Sequence, residues 1–392
     1  MAEPWLTIIG IGEDGLAGLT EASRDALQAA EIVFGSPRHL DLAGIAGRTW
    51  PLPFSVAPVI TERGRRVAVL ASGDPFWYGV GGSLAAEIGP GEWVCHPAPS
   101  SFSLAAARLG WRLEEVVCLG LHAAPLTRLR PFVANGQRLI CLLRDGAAMA
   151  DLAAYLVVIG FGASRVEALS CLGGPRENRM SFVAQDYEDT ALSAPICAAI
   201  TAVGQGLSRA SGLEDALFDH DGQITKRPVR ALTLSALAPR AGDVLWDIGT
   251  GSGSVATEFL LAAPGTEVHA VEADPLRADR AKANAARFGV AHRFHLTEAR
   301  APLGLDALPS PDVVFVGGGA TEALFAALFN RLAAGTRLVA NAVTLETEVL
   351  LTQGHSAKGG TLLRIELAEA APLGNRTGWQ PMRPVVQWSV TL

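Results

Sequence analysis

Through residue 200 the chain alternates short apolar, often β-branched, runs with longer alanine- and leucine-rich stretches. That alternation of strand-sized and helix-sized segments predicts an α/β fold. The strand candidates are "WLTIIGIG", "EIVFG", "VAVLASG", "EWVCHP", "EVVCLGL", "RLICLL", "RVEALSCLG" and "ICAAITA". From 203 to 228, "VGQGLSRASGLEDALFDHDGQITKRP", the rhythm lapses into glycine, charge and polar residues. A seam near 205 follows, with domains at 1–205 and 206–392. A second series begins after it: helix "RPVRALTLSALA", strand "DVLWDIG", helix "SVATEFLLAA", strand "EVHAVEAD", helix "PLRADRAKANAARFG", strands "HRFHLTE" and "PDVVFVGGG", helix "TEALFAALFNRLA" and strand "TRLVANAV". This order predicts a doubly wound sheet, closed by an antiparallel edge pair from "LLRIELAEA" and "VVQWSV". The two halves do not repeat one another.

Composition supports two cores. The 392 residues are 49% hydrophobic and 18% charged, enough for two domains of ordinary size. Mean hydropathy is positive, +0.27. Runs such as "YLVVIGFG" nonetheless stop far short of the roughly 18 residues that would span a bilayer, so no membrane association is expected. The opening "MAEPWLTIIGIG" carries no basic flank or cleavage site, and a cytoplasmic location is expected. The five cysteines lie widely spaced in the first half, without C-x-x-C, and are expected to be reduced core thiols. A net charge of -7 without basic runs argues against nucleic acid as a partner. Eight histidines show no H-E-x-x-H, and no metal is expected.

The stretch "DVLWDIGTGSGSVATEF" runs a strand through glycines 249, 251 and 253 directly into a helix, where open α/β sheets bind nucleotides. A dinucleotide G-x-G-x-x-G/A fails at Ser254, and no Gly-Lys-Ser/Thr follows for a P-loop. The D-x-G-x-G-x-G spacing, Asp247 to Gly253, resembles motif I of the class I S-adenosylmethionine-dependent methyltransferases. The resemblance implies that Gly249, Gly251 and Gly253 let backbone approach the cofactor and that Asp247 holds its methionyl ammonium, directly or through water. Glu272, ending the next strand, would accept the ribose hydroxyls, and Ala299 and Arg300 would meet the adenine. "DHDGQITKRPVRALTLSAL", "VFVGGG", "ANAVTLETE" and "MRPVVQW" together resemble the precorrin C-15 methyltransferase and decarboxylase family of cobalamin synthesis. By that resemblance "GQITKRPVR", with Thr225, closes over cofactor and macrocycle, Gly317 to Gly319 border the site, and Asn341 to Glu346 lie on the substrate side. Ala299 stands where that family commonly has glycine.

The first half carries "LTIIGIGEDGLAGLT", "FGSPRHL", "VAVLASGDPFWYGVGGSLA" and "PAPSSFSLAAARLGW" in that order. These resemble the tetrapyrrole methylase family in its C-5 corrin branch, a fold of two α/β lobes with S-adenosylmethionine in the cleft between them. Gly10 and Gly12 match its opening turn, Gly73 and Asp74 the loop over the cofactor's methionine end, and Ser100 and Ser101 its cofactor-facing serines. Asp74 before Pro75 also fits plain turn chemistry, and His122 at a strand end fits a structural role as well as a ligand contact. "LGGPRENR" (172–179) resembles a loop of the second lobe and fits a solvated turn equally.

Together the resemblances imply a methyltransferase fused from two unrelated folds, each with its own S-adenosylmethionine, two per chain, acting on one tetrapyrrole. Such a macrocycle bears many carboxylates, which arginines read by bidentate hydrogen bonds. Arg38, Arg227 and Arg230 are the candidates, with Asn341 and Glu346 also on the substrate side. No acid for the decarboxylation is identifiable. Two rival readings stand: an RNA or protein methyltransferase, and a first half that serves only as a substrate-binding scaffold. A homo-oligomer is expected.

Overall fold

The computed structural model describes residues 4–392. Two compact units divide them: residues 4–126 with Phe132–Gly206 form the first, and Thr127–Pro131 with Leu207–Leu392 the second.

Two five-stranded sheets build the first unit. One contains β1 (Leu6–Ile11), β2 (Ile32–Gly35), β3 (Arg48–Thr49), β4 (Val67–Ser72) and β5 (Trp93–His96), ordered β3-β2-β4-β1-β5 and parallel throughout. β1 and β4 are central and covered on both faces; Ile8, Ile9, Val69 and Leu70 are fully buried, which is why these strands read as unbroken apolar runs. Their register, Gly10 opposite Ala71 and Ile11 opposite Ser72, brings the two turns at 12–15 and 73–75 side by side at the carboxyl ends.

The other sheet contains β6 (Val116–Gly120), β7 (Arg138–Leu143), β8 (Arg165–Ser170), β9 (Asn178–Val183) and β10 (Ile196–Thr201), ordered β6-β7-β10-β8-β9. β6 and β7 run parallel; the other pairs are antiparallel. β9 begins inside the segment expected as a turn. It is an edge strand with no fully buried residue, so its sequence, "NRMSFV", carries no core-facing stripe to announce it. The five cysteines are free thiols. Burial pushes Cys197 up to about 12 and Cys95 and Cys118 up to about 11, so they remain protonated, inert packing groups.

In the second unit β11 (Val244–Ile248), β12 (Glu267–Glu272), β13 (Phe294–Glu298), β14 (Val313–Val316), β15 (Arg337–Ala342), β16 (Thr361–Ile365) and, after a separate two-stranded hairpin of β17 (Ala368–Leu373) and β18 (Arg376–Pro381), β19 (Val385–Thr391) make up the sheets. The seven-stranded sheet is ordered β13-β12-β11-β14-β15-β19-β16. It is parallel as far as β15, and β19 inserts antiparallel between β15 and β16. The strand order reverses at β11, between β12 and β14, the switch point where open α/β sheets hold ligands. One helix, Leu345–Lys358, has no counterpart in the sequence reading, where Asn341 to Glu346 are only expected on the substrate side. Among the described residues no helix is long and apolar enough to cross a membrane.

The 203–228 stretch is irregular and largely exposed, yet it is anchored at a few points. Leu213, Phe218 and Ile224 are buried in the second unit's core, and the amides of Gly212 and Leu213 donate to Glu258 at 2.7 and 2.9 Å.

Candidate active sites

A cavity of about 1080 Å³ opens at the carboxyl ends of the second unit's parallel strands. Gly249, Gly251 and Gly253 each have positive φ, at 70°, 58° and 69°, a region that side-chain-bearing residues enter only at a cost. Their surroundings differ. A Cβ on Gly249 would strike the Gly318 carbonyl at 2.6 Å, and one on Gly253 would meet the Ala281 Cβ at 3.0 Å. On Gly251 it would meet nothing nearer than the Gln223 carbonyl at 4.0 Å, so Gly251 is the glycine that leaves its space to the cavity. Gly253 does not line the cavity; it lets the helix Ser254–Ala262 close on the helix Pro275–Arg287.

Glu272, nearly buried, lines the cavity with its carboxylate held on three amides. Gly251 N–H donates to Oε2 at 2.9 Å, and the amides of Ala273 and Asp274 donate to Oε1 at 2.8 and 3.0 Å. Three bonds leave lone pairs free on a carboxylate of about four acceptor sites, so it can still take a hydroxyl donor. Ala299 donates its amide to the Glu272 carbonyl at 2.9 Å, and Ala299, Arg300, Gly317 and Thr225 are in the same wall. Asn341 also faces the cavity, its amide donating to Thr233 Oγ1 at 2.9 Å and its oxygen accepting from Gln387 at 3.0 Å.

Asp247 lies behind that wall, 1% exposed. Its Oδ2 accepts from the Thr250 hydroxyl at 2.6 Å, while Oδ1 has no hydrogen-bond partner. Burial pushes its carboxyl up to about 7, against the pull of Thr250 and helped by the charge of Glu272. A buried orphan carboxylate oxygen behind a glycine turn fits an ammonium group reached through an intervening water.

Three substrate-side candidates of this half lie elsewhere. Arg230 is fully buried: it donates to Glu258 Oε1 at 2.5 Å, to Asp215 Oδ1 at 2.9 Å and to the carbonyls of Leu213 and Thr225. It cannot read a substrate carboxylate; it pins the segment that carries Thr225. Arg227 is exposed and paired with Glu214, and Glu346 is exposed in the first turn of the helix Leu345–Lys358; neither lines the cavity. The cations that do are Lys226, Arg277, Arg300 and Arg383, of which the last two have no ion-pair partner among the described residues. Arg383 lies in the quoted "MRPVVQW", but nothing in a loop arginine's sequence context marks which way it faces. At the far end of β12 from Glu272, the side chains of Glu267, His269 and His295 gather their potential ligand atoms within 4.8 Å of one another, a cross-strand grouping that sequence spacing does not reveal.

In the first unit a cavity of about 400 Å³ is walled by Gly12, Gly73, Asp74, Ser100, Ser101 and Arg38, with His122 also on it. Gly10 does not reach it. A Cβ there would fall 2.0 Å from the Gly73 carbonyl, so this glycine lets the two turns close on each other. Asp74 Oδ1 accepts the Phe76 amide at 2.9 Å, which is turn chemistry, and Ser100 caps the helix Ser101–Leu109 by accepting the Ser103 amide at 3.1 Å. Arg38 is committed to Glu13, Ser72 and His39. Arg176 reaches the other Glu13 oxygen at 3.6 Å.

Glycine turns at the ends of parallel strands, with an acidic residue after the second strand and no Walker lysine, define the class: an S-adenosylmethionine-dependent methyltransferase. Residues 5–158 match the tetrapyrrole (corrin/porphyrin) methylases, and residues 216–392 match the precorrin methyltransferase domain. The chain is 47% identical to a precorrin-6Y C(5,15)-methyltransferase (decarboxylating) of a Sinorhizobium species, with 100% of this chain and 97% of that protein covered. It is 39% identical to the protein of that name from Mycobacterium tuberculosis, over 98% of this chain and 99% of the relative. A crystal structure of the C-terminal domain of precorrin-6Y C5,15-methyltransferase from Rhodobacter capsulatus is 49% identical, covering 47% of this chain and 100% of that one, with a TM-score of 0.46. The chain belongs to the family of decarboxylating precorrin-6Y C(5,15)-methyltransferases.

Proposed function

We propose that the chain methylates precorrin-6B twice and decarboxylates it once, giving precorrin-8, with the first unit acting at C-5 and the second at C-15 and the ring-C acetate. S-adenosylmethionine, one molecule per unit, supplies a methyl group already activated on a sulfonium. The observation that carries the reading is that two separately packed units each own a cavity at glycine turns on parallel strand ends. The protein's task is then alignment and exclusion of water. Gly251 leaves room for the cofactor, Glu272 holds its ribose, and the Asp247 carboxylate faces its ammonium. Arg300 meets the adenine, and Lys226 and Arg383 read the substrate's carboxylates. Loss of carbon dioxide from the acetate leaves an electron pair that the conjugated macrocycle absorbs, so the substrate is its own electron sink.

The test combines calorimetry with mass spectrometry. Two equivalents of S-adenosylmethionine should bind per chain, and precorrin-6B with methyl-labelled cofactor should gain two labelled methyls and lose one carboxyl. A single equivalent, with one methyl at C-15, would instead make the first unit a scaffold.

A further inference from the structure

The motifs "FGSPRHL" and "LASGD" place one arrangement in the first cavity that the cofactor does not account for. His39, 7% exposed, comes from the helix Pro37–Ala43, and Ser72 ends β4 with its side chain exposed on the cavity wall. His39 Nδ1 lies 3.2 Å from the Leu70 carbonyl. A carbonyl only accepts, so Nδ1 carries the hydrogen and Nε2 is a bare acceptor. Nε2 in turn lies 2.8 Å from Ser72 Oγ and 3.0 Å from Arg38 Nη2, which also donates to Ser72 Oγ at 2.8 Å. A guanidinium can only donate, so it demands the same tautomer. Glu13 pairs with Arg38, and Asp74, Tyr78, His122, Arg144 and Cys197 are the other titratable groups on the cavity wall. Burial, and secondarily the Arg38 charge, hold His39 down to about 4, so the ring rests neutral.

We propose that Ser72 and His39 are the proton relay of the first unit's methyl transfer, Ser72 touching the substrate and His39 receiving the proton through it. This rests on the reading that the first unit methylates C-5. There the ring carbon's electron pair forms the bond to the methyl carbon, and the sulfur keeps the pair of the bond that breaks. The carbon then bears both its hydrogen and the new methyl, with a positive charge spread over the conjugated system. Its C–H pair returns to the macrocycle as the proton passes to Ser72 Oγ, while the Ser72 hydroxyl proton moves to His39 Nε2. A weak base suffices, because a C–H beside a delocalised cation is strongly acidic. The Arg38 charge makes the imidazolium transient, so the relay resets by release of the proton to water.

The experiment uses the full chain, precorrin-6B carrying hydrogen or deuterium at C-5, and methyl-labelled S-adenosylmethionine in single turnovers, with product position read by NMR. Ser72→Ala should slow C-5 methylation about 100-fold, as loss of a general base does, and Ser72→Thr, which keeps the hydroxyl, should restore most of it. His39→Gln should match Ser72→Ala. Deuterium at C-5 should slow both impaired variants and leave the wild type unaffected, a signature that a merely structural loss does not produce. C-15 methylation and decarboxylation should continue in all of them. Ser72→Ala within about twofold of wild type, or slowed without an isotope effect, would overturn the relay. A wild-type chain that leaves C-5 unmethylated would overturn the assignment of the first unit, and the relay with it.

Discussion

Asp247 is costly to the fold. Its carboxyl titrates at about 7 in the folded chain against an ordinary 3.8. The folded state therefore holds its proton more tightly than the unfolded one. Stability from this group is full below about 3.8 and is lost as pH rises through 7, a cost on the order of a few kcal/mol at pH 8. Asp247→Asn should thus raise the melting midpoint at pH 8, with the gain shrinking toward pH 4, while weakening S-adenosylmethionine binding to the second unit at pH 8. In the wild type that binding should fall up to about tenfold per pH unit below 7, because an ammonium needs the carboxylate. Melting curves and calorimetry across the range test both; identical pH profiles for the two proteins would remove Asp247 from the site. Glu272 is held differently, its carboxylate accepting from three backbone amides. Glu272→Gln must turn an NH₂ toward one of those donors, so the Gly251 turn loosens as well as the proposed ribose contact. Affinity should drop roughly tenfold or more, the worth of one charge-assisted bond.

At the level of elements, the glycine run separates into parts that a sequence pattern merges. Gly251→Val adds side-chain atoms to open cavity, at the cost of positive-φ strain of about 1–2 kcal/mol, and should fold but fail to bind cofactor. Gly253→Val drives the same atoms into Ala281 and should lose an additional 1–3 kcal/mol or so from helix overpacking, measurable as a lower denaturant midpoint. The contrast also shows what the sequence could carry. Strands β1, β4, β11 and β14 were legible because burial on both faces writes a continuous apolar run, and the turns were legible because only glycine tolerates their φ. β9 and the β17–β18 hairpin were not, since exposed strands place no constraint on hydrophobicity. Arg230 resisted for another reason: an arginine near a motif looks the same in sequence whether its guanidinium meets substrate or, as here, Glu258 in the core.

For the whole molecule, the junction between units is narrower than its composition suggests. Residues 203 and 204 donate their amides to Ser164 and Asn135, and the chain from Gly212 onward is fixed to Glu258 and Asn284. The longest continuously exposed run of the stretch is 208–211, so limited proteolysis should cut there first and give two fragments, with masses that place the cleavage within those residues. The same independence predicts how the two sites respond to separate damage. Gly251→Val should abolish C-15 methylation and decarboxylation together if, as proposed, both depend on the second cavity. Supplied with macrocycle already processed at C-15, it should still methylate C-5. Asp74→Ala removes the carboxylate that closes the turn onto the Phe76 amide, so it should decarboxylate and methylate C-15 but stall before C-5. Mixed, the two variants should restore the double product, because the intermediate made by one chain can diffuse to the intact cavity of another. Should folded Gly251→Val, verified by circular dichroism, fail at C-5 even on processed substrate, the two reactions would have to share a single centre, and two cavities in two units would no longer explain why one chain carries both glycine turns.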